Sequence, residues 1–534
     1  VFDLLITGGM VADGTGATPR RADVGVSGGH IEAVGRLSDS QAEHTLNATG
    51  ALVSPGFIDI HSHSDFTLLV DPRAQSQVFQ GVTTEMIGNC GHGCAPIGDT
   101  EKFAGNIYGY SRRAEVAWKS FAGYLDALEQ AAPAVNVASL VPNGNLRLLA
   151  VDDASKAASP GETAHMVRLL EEALGSGAWG FSTGLEYPAE AAASEAELAA
   201  LCRAVAAHGG LYAAHTRNRE TRAVEAVQEA VRLAKSGASG REERLKLQVS
   251  HIIPRRGGPA GSLAGCIEAV EQARGRGLDA AFDSHTRLHG ITNLSNALPA
   301  WASEGGTAAL RRRLGDRAAR ARLRKHSSII SSFALGGWER VSLYTSPARP
   351  EIAGRSFASL APPGGDGWDA VFDALRDHAD DPHAPLVICL SYDEAEVIET
   401  MSHELCTIGS DATSLAVDGP LAGEAFLGAF TWAGWAWRKL VTESRRLTVG
   451  QAVAKLTSAP AERMGLRDRG VIANGKRADV AVFGPASFRD TGTLESPNRL
   501  AQGVRHVVVN GTVTLEDGRL TGKRGGQVLR RGKS

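Results

Sequence analysis

The stretch Phe57-Ile58-Asp59-Ile60-His61-Ser62-His63 is a short apolar β-type run that ends in two imidazoles separated by one serine. Alternate side chains of a strand share a face, so His61 and His63 point the same way and can grip one cation. Downstream of this run, strand-like segments alternate with Ala-rich helical ones. They read Thr83 to Ile87, a helix near Phe121 to Ala131, Val135 to Leu140, a helix near Gly161 to Gly175, and Gly177 to Ser182. A helix near Glu195 to His208, Gly210 to Ala214, a helix near Glu220 to Lys235, Lys246 to Ser250, a helix near Ser262 to Gly275 and Asp279 to Asp283 continue the pattern. Repeated βα units argue for an α/β protein with a parallel sheet. This many in succession predict a (β/α)8 TIM barrel, here over residues 56–468.

Both flanks of that region are β-like. Residues 1–55 alternate short β runs with Gly-rich turns. Residues 469–534 contain Ala478 to Phe483, Gly503 to Val509 and Thr512 to Leu515, with Asn510-Gly511 as a strong hairpin turn. The two ends are expected to pair into one small β-sandwich beside the barrel. From about 287 to 347 the alternation gives way to polar, Arg-rich sequence, which predicts an inserted lid subdomain. It is expected to resume with a helix near Trp368 to Arg376 and a strand near Pro385 to Leu390. The basic tail Lys523 to Ser534 is expected to fray.

At 534 residues the chain is long enough for several domains and needs no covalent staples. Lys+Arg 56 against Asp+Glu 59 gives a net charge of -3, which offers no electrostatic reason to bind nucleic acid or an anionic membrane. A small-molecule substrate is the expected partner, and a homo-oligomer is open. The six cysteines are scattered, as reduced thiols of a cytoplasmic enzyme would be. The amino-terminal residues Val1 to Gly9 show no basic segment followed by a long apolar core, which predicts no export. The aromatic run Ala425 to Trp437 is shorter than the roughly 20 residues needed to span a bilayer and reads as a buried helix face.

In a barrel of this kind the functional side chains sit where strands end. Five candidate strand ends carry a metal-type residue: His61 with His63, then Cys90, His215, His251 and Asp411. A lone histidine is more often structural, but five such ends on one face favour a metal centre. Thiolate with imidazole suits zinc better than magnesium or calcium.

Gly56-Phe57-Ile58-Asp59-Ile60-His61-Ser62-His63 resembles the first-strand signature of the amidohydrolase superfamily, and Gly88-Asn89-Cys90-Gly91 resembles its D-aminoacylase (N-acyl-D-amino-acid deacylase) branch. Ser182-Thr183-Gly184-Leu185-Glu186-Tyr187-Pro188, Ala214-His215-Thr216-Arg217, Ser250-His251, Gly409-Ser410-Asp411 and Leu456-Thr457-Ser458-Ala459-Pro460-Ala461 extend the resemblance along nearly the whole chain. It implies a zinc ion held tightly by Cys90, His215 and His251, and a second, weaker position built from His61, His63, the shared Cys90 and Asp411. Many superfamily members bridge two metals with a carboxylated lysine. Between Val135 and Tyr187 the only lysine is Lys156, in a loop, so the Cys90 thiolate would bridge instead. His92 and Cys94 are given supporting roles.

The implied reaction is hydrolysis of a linear amide by zinc-activated water, with Asp411 as general base and then acid and Tyr187 as a hydrogen-bond donor to the carbonyl oxygen. The substrate segments depart from the family. Ser250-His251 is followed by Ile252-Ile253-Pro254 where a histidine and a lysine are usual. Asp411 is followed by Ala416-Val417-Asp418-Gly419-Pro420-Leu421 where a His-Pro-Arg element is usual, and Val141-Pro142-Asn143-Gly144-Asn145 replaces a Gly-His motif. With these cations missing, the grip on a free carboxylate is expected to weaken and the pocket to accept a different, larger peptidyl or natural-product amide. Arg255 or Arg256 would substitute, and Tyr187, Arg287, Arg355, Trp301 and Trp338 are further pocket candidates. A cyclic-amide hydrolase of the hydantoinase or dihydroorotase kind is the alternative enzyme, and the absent lysine bridge weighs against it. A metal-free, non-catalytic scaffold is the third reading, and the intact ligand set weighs against that.

Overall fold

The computed structural model describes residues 1–37, 39–110, 113–238 and 245–532. The opening run folds as the strand Phe57–Asp59, all of it buried, parallel to Val82–Ile87, which is parallel in turn to Asn136–Ser139. A six-stranded sheet follows in the order Val141–Pro142, Gly180–Gly184, Leu211–His215, Lys246–Val249, Asp279–Ser284 and Cys406–Ile408, with every neighbour parallel. Two junctions join these sheets. Asn136–Ser139 runs on through Leu140 into Val141–Pro142, and Ser62 forms a parallel bridge with Ala412. These strands are buried along almost their whole length, yet they carry polar side chains such as Glu85, Asn136, Gln248 and Asp283.

The helices between the strands start and stop where local chemistry dictates. Pro160–Ser176 opens with the reciprocal capping pair Ser159 and Glu162 and ends at Gly177, whose φ of 115° an L side chain rarely adopts. Glu195–Ala207 is capped by the Ser194 hydroxyl. Helix N-termini and strand C-termini therefore face the same end of the molecule, and every ligand-type residue above lies there.

The chain ends share a sheet. Val480–Phe483 pairs antiparallel with Leu52–Pro55 inside a seven-stranded sheet, while Phe2–Thr7, Asp23–Ser27, His30–Gly35 and Ala42–Asn47 form a four-stranded one. Leu4, Val24, Val53, Val480 and Val508 belong to one apolar cluster. Asn510 and Gly511, at φ 48° and 82°, make the tight turn that sets Val509 opposite Thr512.

Two expectations change. The strand Leu386–Leu390 does not rejoin the parallel alternation; it lies antiparallel between His289–Asn293 and Val341–Leu343. Helix Gly367–Asp377 packs with it, since Val371, Phe372 and Leu375 share a cluster with Leu310 and Phe333. The segment outside the parallel strands therefore runs to Leu390, beyond the expected end near 347. A short apolar run does not distinguish a parallel core strand from an antiparallel one. The tail is also docked: Val137 donates to Gln527 O and accepts from Leu529 N, and Arg530 pairs with Asp126 and Glu129. Its last residues, 533–534, lie outside the described residues. Trp432 and Trp437 are buried in a short helix, and no helix among the described residues is long and apolar enough to cross a membrane.

Candidate metal centre

The six ligand-type residues are each at most 8% exposed and converge on one point. Single ligand atoms of His61, His63, Cys90 and Asp411 lie within 4.8 Å of one another, as do those of Cys90, His215 and His251. Cys90 belongs to both groups. Cys90, His251 and Asp411 have φ of 53°, 35° and 45°, a region ordinary side chains avoid. Such strain is stored where the surrounding structure fixes it; here it turns each side chain out of its strand direction toward the centre. Gly91, beside Cys90, cannot be larger, because a Cβ there would meet Glu190 Oε1 at 1.6 Å.

The partners of these ligands differ. Cys90 Sγ lies 3.2 Å from His61 Nε2 and 3.4 Å from His251 Nε2. His61 donates its other ring N–H to Asp283 at 3.0 Å, and the same carboxylate oxygen accepts from the His251 backbone N–H at 2.7 Å. His215 donates through Nε2 to Glu186 at 2.8 Å, leaving its Nδ1 buried and unpartnered. His63 donates to Asp411 at 3.1 Å, and the other Asp411 oxygen is held by Arg287. His92 is no ligand: it donates to the Cys90 carbonyl at 2.8 Å and packs between Tyr108 and Tyr187. Lys156 pairs with Asp153 on the surface.

This donor set fits a metal. Burial pushes the Cys90 thiol up to about 11, with His61 opposing, so a cation against the sulfur is what would make it a thiolate. Burial, despite Asp411, keeps His63 below the usual imidazole range. His215 is lowered by burial despite Glu186, and His251 by burial reinforced by Arg219. Neutral imidazoles are what ligation requires. The unpartnered Nδ1 atoms of His63, His215 and His251 are buried polar groups awaiting a partner. His61 is carried upward by Asp283 and Cys90 against its burial. Asp411 stays well below the carboxylate range because Arg287 and His63 outweigh its burial.

A narrow cavity opens over His63, His215, His251 and Asp411, with Tyr187, Arg219, Arg255 and Arg287 in its wall. Tyr187 Oη lies 3.4 Å from Tyr108 Oη, and burial raises its phenol well above the usual range, so it stays a donor. Three guanidinium groups reach this pocket: Arg255 and Arg287, expected from the sequence, and Arg219, which was not. Arg255 pairs with Glu186 and, at 2.7 Å, with Glu220. Arg287 is committed to Asp411 and the Ser410 carbonyl. Arg219 donates to the carbonyls of His251 at 2.6 Å and Ile253 at 3.0 Å and has no carboxylate partner among the described residues.

Other expectations fall outside the pocket. Arg355 is exposed and bonds the Ser359 carbonyl, Arg256 is exposed toward Asp393, Trp301 lies under Arg322, and Trp338 packs on Trp368. The inserted segment turns Trp301, Trp338 and Arg355 away from the site and supplies Ile291, Ile329 and Phe333 instead, with Tyr392 just past it completing the wall. Arg219, Glu186, Tyr108 and Asp283 were not singled out from sequence. Glu186 adjoins Tyr187 and Arg219 follows His215 in the same loop, so proximity to assigned residues was the available signal.

The model of the amidohydrolase family matches residues 44–515. An N-acyl-D-glutamate deacylase of Alcaligenes xylosoxydans xylosoxydans is 34% identical, over 100% of this chain and 97% of its own. A D-aminoacylase of the same organism is 32% identical over 99% and 98%. A crystal structure of D-aminoacylase superposes with a TM-score of 0.81 at 29% identity, covering 99% of this chain and 100% of that one. The N-acyl-D-glutamate deacylase of Bordetella bronchiseptica, complexed with zinc and a phosphonate inhibitor, gives 0.80 at 30% identity, with 99% of each chain covered. The chain belongs to the amidohydrolase family and is a metal-dependent amide hydrolase.

Proposed function

We propose that the protein is a zinc enzyme that hydrolyses the linear amide of an N-acyl amino acid. A tight ion would be held by Cys90, His215 and His251, and a weaker one by His61, His63, Cys90 and Asp411. The observation that carries this reading is the sharing of one buried thiol by two ligand groups, each with its ligand atoms within 4.8 Å of one another. When bound there, zinc supplies a Lewis acid that brings water toward ionisation near neutral pH. Asp411, fixed by Arg287, accepts the proton of the attacking water and passes it to the leaving nitrogen. The Tyr187 hydroxyl donates to the carbonyl oxygen as negative charge develops on it.

Arg219 is the pocket cation without a carboxylate, and it is the group best placed to take the free carboxylate of the amino-acid half. Ile291, Ile329, Phe333 and Phe426 offer an apolar wall for the acyl half. The cavity is close-walled, which favours one acylated amino acid over the larger peptidyl amide that the missing motifs suggest. The pocket is nonetheless altered from that of typical D-aminoacylases, since its cations come from different positions. The Ser62–Ala412 bridge supports closure of the parallel strands into a barrel over residues 56–468, with a β-sandwich from 1–55 and 469–534 and an inserted lid between strands. Six buried free cysteines suit a reducing cytoplasm.

The test is an assay of the zinc-loaded protein on N-acyl-D-amino acids, N-acyl-L-amino acids, their carboxamides and cyclic amides such as hydantoins. Turnover of N-acyl-D-amino acids is expected, with Arg219→Gln raising KM for the carboxylates about 10- to 100-fold and leaving the carboxamides unchanged. Turnover confined to cyclic amides would overturn the reading.

A further inference from the structure

At the opposite end of the parallel strands, a cleft of about 1140 Å³ lies where Gly180–Gly184, Leu211–His215 and Lys246–Val249 begin. Helix Ser458–Met464 and the turn after it form the other wall. Lys246, Arg463, Arg467, Arg469, Lys476 and Arg531 line the cleft against a single carboxylate, Glu462. No lining residue is shared with the metal pocket. Lys246 and His251 stand five residues apart along one strand direction, about 17 Å.

Two of the six cations are neutralised internally, Arg463 by Asp279 and Arg469 by Asp468 and Asp479. The other four have no carboxylate partner among the described residues. Lys246 donates to the Glu462 carbonyl, Lys476 to that of Arg467, and Arg531 to those of His208 and Gly209, while Arg467 is exposed. Helix capping accounts for part of this. Lys246 and Arg531 meet the last carbonyls of Ser458–Met464 and Glu195–Ala207, where cations are favoured. Capping needs one cation at each helix end and leaves Arg467 and Lys476 unexplained. Burial, with Arg463 adding repulsion, holds Lys246 below the usual lysine range despite the opposing attraction of Asp279 and Glu462.

We infer that this cleft is a binding site for a multiply charged phosphate compound. Oligophosphate oxygens would accept from Lys246, Arg467, Lys476 and Arg531, replacing mutual repulsion with charge-assisted hydrogen bonds. Trp179 spends its ring N–H on the Leu529 carbonyl at 2.6 Å and so offers the cleft only carbon surface, beside Met464 and Leu466. That wall would receive the uncharged part of such a ligand.

Isothermal titration of the metal-loaded enzyme with inorganic pyrophosphate and with ATP tests this. Saturable, salt-sensitive binding is expected. It should weaken at least about tenfold in Lys246→Gln and in the surface double variant Arg467→Gln/Lys476→Gln, with amide hydrolysis retained as evidence of folding. Tighter binding of ATP assigns a nucleotide, and equal affinity assigns the phosphate chain alone; both uphold the site. Absence of binding at low salt overturns it, as does an affinity unchanged in both variants, which would place the anion at the metal face.

Discussion

Cys90, His215 and His251 form one corner of the metal site and His61, His63 and Asp411 the other, and the two corners are held by different chemistry. In the first, buried neutral imidazoles surround a sulfur, Glu186 fixes the His215 ring, and the backbone at Cys90 and His251 is bent into an unfavourable conformation. In the second, charge dominates: Arg287 holds Asp411 ionised and Asp283 draws a proton onto His61. In the proposed function the first corner would hold a cation and the second would keep a carboxylate ready beside it. Two histidines on one strand, the most visible feature of the sequence, belong to the second corner.

The most damaging way to break this contrast is to remove the atom common to both corners. Cys90→Ala is expected to lose bound metal and to bring turnover below detection, measured by metal analysis alongside the amide assay. An active, zinc-replete Cys90→Ala would take the thiolate out of the scheme. Asp411→Asn separates the corners. It removes the proton acceptor while leaving Cys90, His215 and His251 intact, so turnover should fall about 10²- to 10⁴-fold with the tight metal retained. Loss of the tight metal from this variant would show that the corners do not act independently.

Asp283 ties the corners together, because one of its oxygens accepts from both the His61 ring and the His251 backbone. Removing a carboxylate that orients a ligand imidazole typically lowers metal affinity 10- to 100-fold. Asp283→Asn keeps the shape but loses the charge that favours the His61 contact. Its metal affinity, measured by competition with a chelator, should fall by about that factor, with the second metal leaving before the first. Equal loss of both would mean that the backbone contact to His251 matters more than the ring contact to His61.

The parallel βα alternation, and the six side chains that the structure brings together, were legible because each follows a short apolar strand within a few residues. The pocket wall was not, for two reasons. Leu386–Leu390 reads as one more core strand, and its pairing with His289–Asn293 is decided by contacts far away in sequence. Of the cations that reach the pocket, Arg255 and Arg287 could be named from sequence, but Arg219 could not, since its approach depends on a loop path that no spacing encodes. The docked tail has the same origin. Val528 pairs with Val137 across most of the chain, while the local sequence shows mainly glycine and arginine.

The contrast between the two corners can be sharpened from outside both of them. Phe333 and Arg355 belong to the same inserted segment, yet Phe333 lines the cavity and Arg355 spends its guanidinium on the Ser359 carbonyl at the surface. Exposed substitutions away from caps and ion-pair networks usually change free energies by less than about 0.5 kcal/mol. Arg355→Ala is therefore expected to leave kcat/KM and metal content within about twofold of the parent. A tenfold rise in KM would mean that the segment swings its outer face over the pocket during turnover. Substrate binding would then depend on the insertion's motion as well as on the two fixed corners.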